Sequence, residues 1–264
     1  MNLGLKSKTA LVSGSTAGIG LAIAAALAAE GAKVIINGRT KARVDAALDQ
    51  LQKRVKDAEF HGVAADLSVA GGLEPIARQN PRVDILVNNL GIFEAKTFFH
   101  IPDDDWKRLF EVNVLSGVRL TRHYLPGMLE RNWGRVIFIS SESAQQIPAE
   151  MIHYGMTKTA QVAVARGLAE SFPNSGVTFN SILAGPTASE GVGEFVSQMA
   201  AARGIDAATV ERQFFETARP SSVLKRFATP DEVAAMITFV CSVQASATTG
   251  AALRVDGGVV RAIV

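Results

Sequence analysis

Tyr154 and Lys158 stand four residues apart in His153-Tyr-Gly-Met-Thr-Lys-Thr-Ala. On a helix, that interval puts both side chains on one face, next to each other. A free tyrosine titrates near ~10 and is a poor acid or base at neutral pH. A neighbouring ammonium favours the phenolate and lowers that value, which brings proton transfer at neutral pH within reach. Thirteen residues upstream, Ser141 ends the run Val136-Ile-Phe-Ile-Ser-Ser, and Ser140 beside it is an alternative hydroxyl that spacing alone separates from it. Asn113 lies further upstream in Val112-Asn-Val; a core amide bonded to a helix carbonyl is one reading of it. His153 adjoins Tyr154, but adjacent helix residues face different ways, so it reads as a packing or pocket-rim residue. His61, His100 and His123 are scattered without ligand spacing, and no metal site is expected.

A second constellation suits phosphate rather than protons. Gly14-Ser15-Thr16-Ala17-Gly18-Ile19-Gly20 follows an apolar run and opens an Ala-rich helix. Glycines there permit a tight turn and close approach of backbone to a pyrophosphate, and the helix N-terminus offers free N–H groups. The spacing GxxxGxG, rather than GxGxxG, resembles the cofactor loop of the short-chain dehydrogenase/reductase family. Ser141, Tyr154, Lys158 and the upstream Asn113 resemble that family's catalytic tetrad, residue by residue. Asn88-Asn89-Leu90-Gly91 is similar to its NNAG, with Leu90 where the family has Ala. The tail Val255-Asp256-Gly257-Gly258 is similar to its closing VDGG. The resemblance covers essentially the whole chain.

The resemblance implies a nicotinamide cofactor, held at Gly14, Ser15, Thr16, Gly18, Ile19 and Gly20. Asp66 and Leu67 fall where the family meets the adenine; the alternative for Asp66 is a helix-terminal acid, with Ser68 as the cap. Asn88 and Gly91 flank the cofactor, and Gly185 and Thr187 match the stretch that meets the nicotinamide amide, although Ala184 replaces the usual proline. NAD-binding proteins place an acid about 20 residues past the loop to bond the ribose 2′-OH. The matching position here holds Gly38, followed by Arg39. A guanidinium suits a 2′-phosphate, which favours NADP(H), with NAD(H) possible; a solvated surface arginine is the bland reading. In the implied mechanism Tyr154 exchanges a proton with the carbonyl or alcohol oxygen, Ser141 hydrogen-bonds that oxygen, and Lys158 holds the ribose. Asn113 anchors a water behind Lys158. Rival readings are an NAD-dependent alcohol or sugar dehydrogenase and a nucleotide-sensing regulator on the same fold. The family also implies a homotetramer, then a dimer, built on the helices that carry Asn113 and Tyr154.

These residues need a scaffold, and the pattern supplies one. Short Val/Ile-rich runs near 9–12, 34–36, 62–65, 85–87, 136–139, 177–182 and 251–255 lack polar alternation, as strands covered on both faces do. Helical stretches near 18–30, 41–56, 70–79, 103–131, 150–172 and 230–242 alternate with them. The expectation is an α/β, Rossmann-like, doubly wound sheet of seven parallel strands flanked by helices, in one domain over 1–264. The segment 187–222 is too long for a plain connection. Its apolar residues recur at helical spacing, which predicts two short helices around Arg203-Gly204-Ile205-Asp206 over the substrate. Phe195 and Phe214 from this insertion, with Phe93 and Ile147 opposite, would wall an apolar pocket for a small-molecule carbonyl or alcohol.

The composition agrees: 264 residues with 48% hydrophobic and 20% charged positions is ordinary globular usage. A net charge of +2 without a basic block argues against nucleic acid. The single cysteine, Cys241, excludes an internal disulfide, and no run reaches the ~18 apolar residues of a membrane span. No signal peptide is apparent, so a cytoplasmic setting is expected.

Overall fold

Seven parallel strands share one sheet: β1 (Thr9–Val12), β2 (Lys33–Gly38), β3 (Phe60–Ala64), β4 (Ile85–Asn88), β5 (Gly134–Ser141), β6 (Val177–Ala184) and β7 (Ala252–Val255). Their order is β3-β2-β1-β4-β5-β6-β7, so the chain reverses direction across the sheet between β1 and β4. The computed structural model describes residues 2–263, apart from the side chains of Glu194, Phe195 and Gln198. Nine α-helices are formed among the described residues: α1 (Gly18–Ala29), α2 (Lys41–Arg54), α3 (Glu74–Gln79), α4 (Asp103–Phe110), α5 (Ser116–Glu130), α6 (Ile152–Ser171), α7 (Glu190–Arg203), α8 (Ala207–Thr217) and α9 (Pro230–Val240).

Alternate residues of each strand serve opposite faces, because side chains in a strand point up and down in turn. Val12, Ile36 and Ile139 join Ile23 and Leu27 of α1 and Val233 and Ile237 of α9 in one core. Leu11, Leu86 and Phe138 join Leu120 and Tyr124 of α5 and Ala165 of α6 in the other. Both sheet faces are therefore dry, which is why the strands read as unbroken apolar runs. Cys241 is fully buried in the first core, and burial pushes its thiol up to about 12.

Two helices differ from the pattern reading. The stretch 70–79 is a 3₁₀ turn, Ala70–Leu73, followed by α3, since the Gly71-Gly72 pair weakens a helix start. The stretch 103–131 is interrupted by a π turn, Glu111–Leu115, between α4 and α5. Such bulges re-aim backbone groups at functional positions, and this one is centred on Asn113. The insertion forms the two expected helices. Gly204 closes α7 in the left-handed region at φ 63°, and the Asp206 side chain accepts from Thr209 N at 2.8 Å to start α8. A bridge between Thr187 and Ala228 closes its base. No helix among the described residues is long and apolar enough to cross a membrane.

Candidate active site

At the carboxyl ends of β1 and β4, a web of short bonds shapes the glycine loop. The Ser13 hydroxyl accepts from Asn89 N and Leu90 N, each at 3.0 Å, and the Asn89 amide donates to Ser13 O and Gly14 O, each at 3.0 Å. Asn37 Oδ1 accepts from Gly14 N at 3.2 Å. Ser15 is spent inside the loop: its N–H donates to Asn37 O at 2.9 Å, and its hydroxyl donates to Val12 O at 2.7 Å and accepts from Asn37 N at 2.9 Å. Ser15 is thus a loop anchor whose N–H and hydroxyl proton are both spent inside the loop. Thr16 stands in the loop, and the amides of Gly18, Ile19 and Gly20 at the start of α1 lack intrahelical acceptors, as helix starts do. Arg39, after the end of β2, is exposed and forms no salt bridge among the described residues.

Asp66 is exposed; its bonds from Ser68, and then the Arg39 charge, hold its carboxyl below the usual range. Ser68 bonds Asp66 rather than capping a helix. Leu67 turns its side chain into the core. Asn88 is buried with its Oδ1 unpartnered, and Gly91 leaves a cradle where a Cβ would stand 3.3 Å from Lys158 Nζ. An open helix start, a free guanidinium and this cradle fit a dinucleotide, whereas the Asn88 side chain packs on Thr121 and Gly117 of α5 instead. Gly185 and Thr187 are otherwise engaged: a Cβ on Gly185 would lie 2.6 Å from Asp256 Cα, and the Thr187 hydroxyl donates to Gly185 O at 2.9 Å. The Asp256-Gly257 tail packing on Gly185 explains that glycine structurally, and the Thr187 side chain closes a turn.

Ser141, Tyr154 and Lys158 meet where β5 ends against the first two turns of α6. Ser140 is excluded as the reactive hydroxyl, because it donates to Lys158 O at 2.8 Å on the far side of the strand. The Ser141 hydroxyl favours the Tyr154 phenolate, against the burial of the ring. Lys158 Nζ lies over the Tyr154 ring, 5.5 Å from its centroid, and donates to Ile139 O at 2.9 Å and Gln161 Oε1 at 3.1 Å. Gln161 in turn donates to Asn113 O at 2.6 Å. Gln161 thus contacts both the Lys158 ammonium and the Asn113 carbonyl. The Asn113 side chain exchanges two bonds with the Ile92 backbone and donates to Thr157 Oγ1 at 3.0 Å. His153 is buried with both ring nitrogens unpartnered, edge-on to Trp106 and turned away from the phenol.

Two residues that the sequence reading missed complete this end. Glu142 accepts from the Ser141 hydroxyl and from Arg219 Nε at 3.2 Å. The pair is nearly dry, at 5% and 13% side-chain exposure. No motif pointed to them, although a charged residue directly after the strand-end serine was visible. Burial pushes the Tyr154 phenol well above its ordinary value, and the Glu142 carboxylate adds to the shift. Burial brings Lys158 down to about 8, against Glu142. The expected lowering of Tyr154 is thus reversed, because desolvation and the Glu142 charge outweigh the lowering influence of Ser141 and Arg219.

The proposed walls divide. Phe93 stacks edge-on to Tyr154 at 6.2 Å and is 60% exposed. Ile147, half exposed, lies against Gly155 of α6. Phe214 packs with Phe215 and Phe227, each centroid at 5.1 Å, under the Arg219 guanidinium. The side chain of Phe195 lies outside the described residues. Among the described residues, no group of three or more His, Cys, Asp or Glu could hold a metal.

Residues 14–260 match the family model described as enoyl-(acyl carrier protein) reductase. The chain is 47% identical over its whole length to the uncharacterised oxidoreductase YvaG of Bacillus subtilis, itself covered in full. It is 36% identical to D-beta-hydroxybutyrate dehydrogenase of Cupriavidus necator, over 96% of this chain and 98% of that one. Its fold superposes on L-sorbose reductase of Gluconobacter frateurii, solved with NADPH and L-sorbose, at a TM-score of 0.93 and 29% identity, covering both chains fully.

Proposed function

The chain belongs to the short-chain dehydrogenase/reductase family, oxidoreductases that act between alcohols and carbonyls, and from that premise we propose that it reduces a carbonyl compound with NADPH, or runs the reverse oxidation. The observation that carries the reading is the meeting of Ser141, Tyr154 and Lys158 beside the glycine loop. When bound, the nicotinamide supplies a hydride to the carbonyl carbon or takes one from the alcohol. Tyr154 gives the developing alkoxide its proton, or removes the alcohol proton in reverse. Ser141 offers its hydroxyl to the same oxygen. Lys158, beneath Gly91, offers its ammonium to the ribose hydroxyls. Asp66 accepts from the adenine amino group, and Arg39 pairs with the 2′-phosphate. The absence of an acid at Gly38 supports NADPH over NADH, as does the similarity to a reductase solved with NADPH.

The exposed apolar side chains of Phe93 and Ile147 support a substrate with an apolar body. The buried Glu142–Arg219 pair adds a polar wall, and the likeness to a sorbose reductase supports including hydroxyketones. The test is a panel of 3-oxoacyl thioesters, 3-hydroxy acids, ketoses and apolar ketones, read by nicotinamide absorbance with both cofactors. Turnover lost by at least about a hundredfold in Tyr154→Phe, with NADPH still bound, supports the reading. Cofactor binding without turnover of any member favours a nucleotide-sensing regulator instead.

A further inference from the structure

The Ser141 hydroxyl carries one proton to donate, and in the structure it donates that proton to Glu142 Oε2. Ser141 Oγ also accepts from Ser143 N at 3.1 Å. Glu142 Oε1 accepts from Arg219 Nε at 3.2 Å, so each carboxylate oxygen holds one donor. Both of these charged side chains are nearly dry. The reaction, however, requires the same Ser141 proton to turn to the substrate oxygen. Glu142 Oε2 then loses its donor, and a buried carboxylate oxygen left without one costs its full desolvation. A substrate that brings a donor of its own removes this conflict. Ser141 Oγ stands one hydrogen bond from Oε2 and, in the reaction, one from the substrate oxygen, so Oε2 lies within two such lengths, about 5.5 Å, of that oxygen. A hydroxyl on the carbon next to the reacting one spans that distance.

We propose that Glu142 is the specificity-determining residue for a substrate hydroxyl on the carbon adjoining the carbonyl, so that the substrates are α-hydroxyketones and, in reverse, vicinal diols. The proposal rests on the alcohol–carbonyl reading above and names the substrate class within it. The substrate hydroxyl donates to Oε2 in place of Ser141, and Ser141 then donates to the carbonyl oxygen, so Glu142 keeps a donor throughout. Only hydrogen bonds change in this step. Arg219, seated over the Phe214 ring, holds Oε1 and leaves Oε2 to Ser141. Charge decides which donor fits. Glu142 and Arg219 neutralise each other in the dry part of the site, while Glu150, 3.5 Å from Arg219, is half exposed and screened by solvent. A neutral hydroxyl adds no charge to this balanced pair. A substrate carboxylate or ammonium brings an unpaired charge into a desolvated place, which is costly.

The test compares matched pairs that differ only in that hydroxyl: a 1-hydroxy-2-alkanone against the 2-alkanone, and 2-hydroxycyclohexanone against cyclohexanone, each with NADPH. A 3-oxo acid of the same chain length supplies the charged arm. Expected is a kcat/KM for the hydroxyketone at least about a hundredfold above the plain ketone and the oxo acid, since a site built to bond a hydroxyl rejects the analogue that lacks it. In Glu142→Leu the hydroxyketone-to-ketone ratio should fall to within about threefold of one. If Glu142→Leu does not fold because Arg219 is left unpaired, Glu142→Leu combined with Arg219→Met removes both charges, and the same collapse of the ratio is expected. A purely structural role lowers kcat/KM for every substrate alike and leaves the ratio unmoved, and that result overturns the proposal. So does a wild-type enzyme that takes the plain ketone as well as the hydroxyketone, or one that prefers the oxo acid. Wild-type enzyme that binds NADPH and turns over no carbonyl or alcohol sinks the underlying reading; turnover without preference for the hydroxyl sinks only this proposal.

Discussion

Gly38 lies so close to Thr16 that a Cβ on it would overlap the Thr16 methyl, with Val44 Cγ2 a further 3.3 Å contact. A side chain at the place where an acid would select NADH therefore requires the Thr16 side chain in the phosphate loop to move. Gly38→Asp, the obvious switch from sequence, should disrupt the loop before it changes preference. The informative variant is Arg39→Ala, at an exposed position. It should weaken NADPH by at least about tenfold, equal to ~1.4 kcal/mol, and leave NADH within about threefold. Fluorescence titration with both cofactors checks this; equal losses would show that Arg39 does not read the 2′-phosphate.

Lys158 gives a pH signature to the cofactor-free fold. Its folded value is lowered to about 8 by burial, against about 10.4 in an unfolded chain. Between these values the unfolded state holds more protons than the fold, so this group makes stability rise with pH across that window. Below it, the buried ammonium costs the fold its full penalty. Lys158→Met should therefore raise Tm at neutral pH, by about 2–4 °C per kcal/mol regained, and remove the rise above about pH 8. Thermal unfolding at stepped pH decides it; a lower Tm in the variant would mean that the Ile139 and Gln161 bonds outweigh desolvation.

The insertion should behave as a cover for substrate. Phe214 holds Phe215 and Phe227 and lies under Arg219, so Phe214→Ala should loosen α8 over the reactive end. KM for the best substrate should rise, with NADPH affinity within about threefold. Proteolysis within 187–222 should slow when cofactor and substrate are both present. Equal cutting rates with and without ligands, and an unmoved KM, would assign the segment to packing alone.

A homotetramer, with a dimer second, is the assembly proposed from α6. Thr159, Ala163, Arg166 and Gly167 form its outward face, while Gln161 and Ala165 point inward. A Cβ on Gly167 would meet nothing within 4 Å, so this small-residue stripe is not consumed by the sheet. Light scattering at micromolar concentration should show the oligomer, and Ala163→Arg should shift it towards smaller species. A monomeric wild type would refute the assembly.

The sheet, its parallel sense and the site of the Ser–Tyr–Lys group were legible because each rests on local chemistry. Unbroken Val and Ile runs demand cover on both faces, a glycine-rich turn before an Ala-rich helix has few other uses, and the four-residue step from Tyr154 to Lys158 is fixed by helix geometry. Even the break at Gly204 between α7 and α8 was local. What stayed hidden depended on residues distant in sequence. Glu142 looked like an ordinary acid until Arg219, 77 residues on, buried its charge against it. Nothing in the sequence marks Gln161, whose amide meets the Asn113 carbonyl only where the π turn brings it. Ser15 looked like a phosphate donor until Asn37 of β2 took its N–H and its hydroxyl oxygen. The direction of the Tyr154 shift was misread for the same reason: desolvation is set by everything that packs around a group, and no spacing along the chain records it.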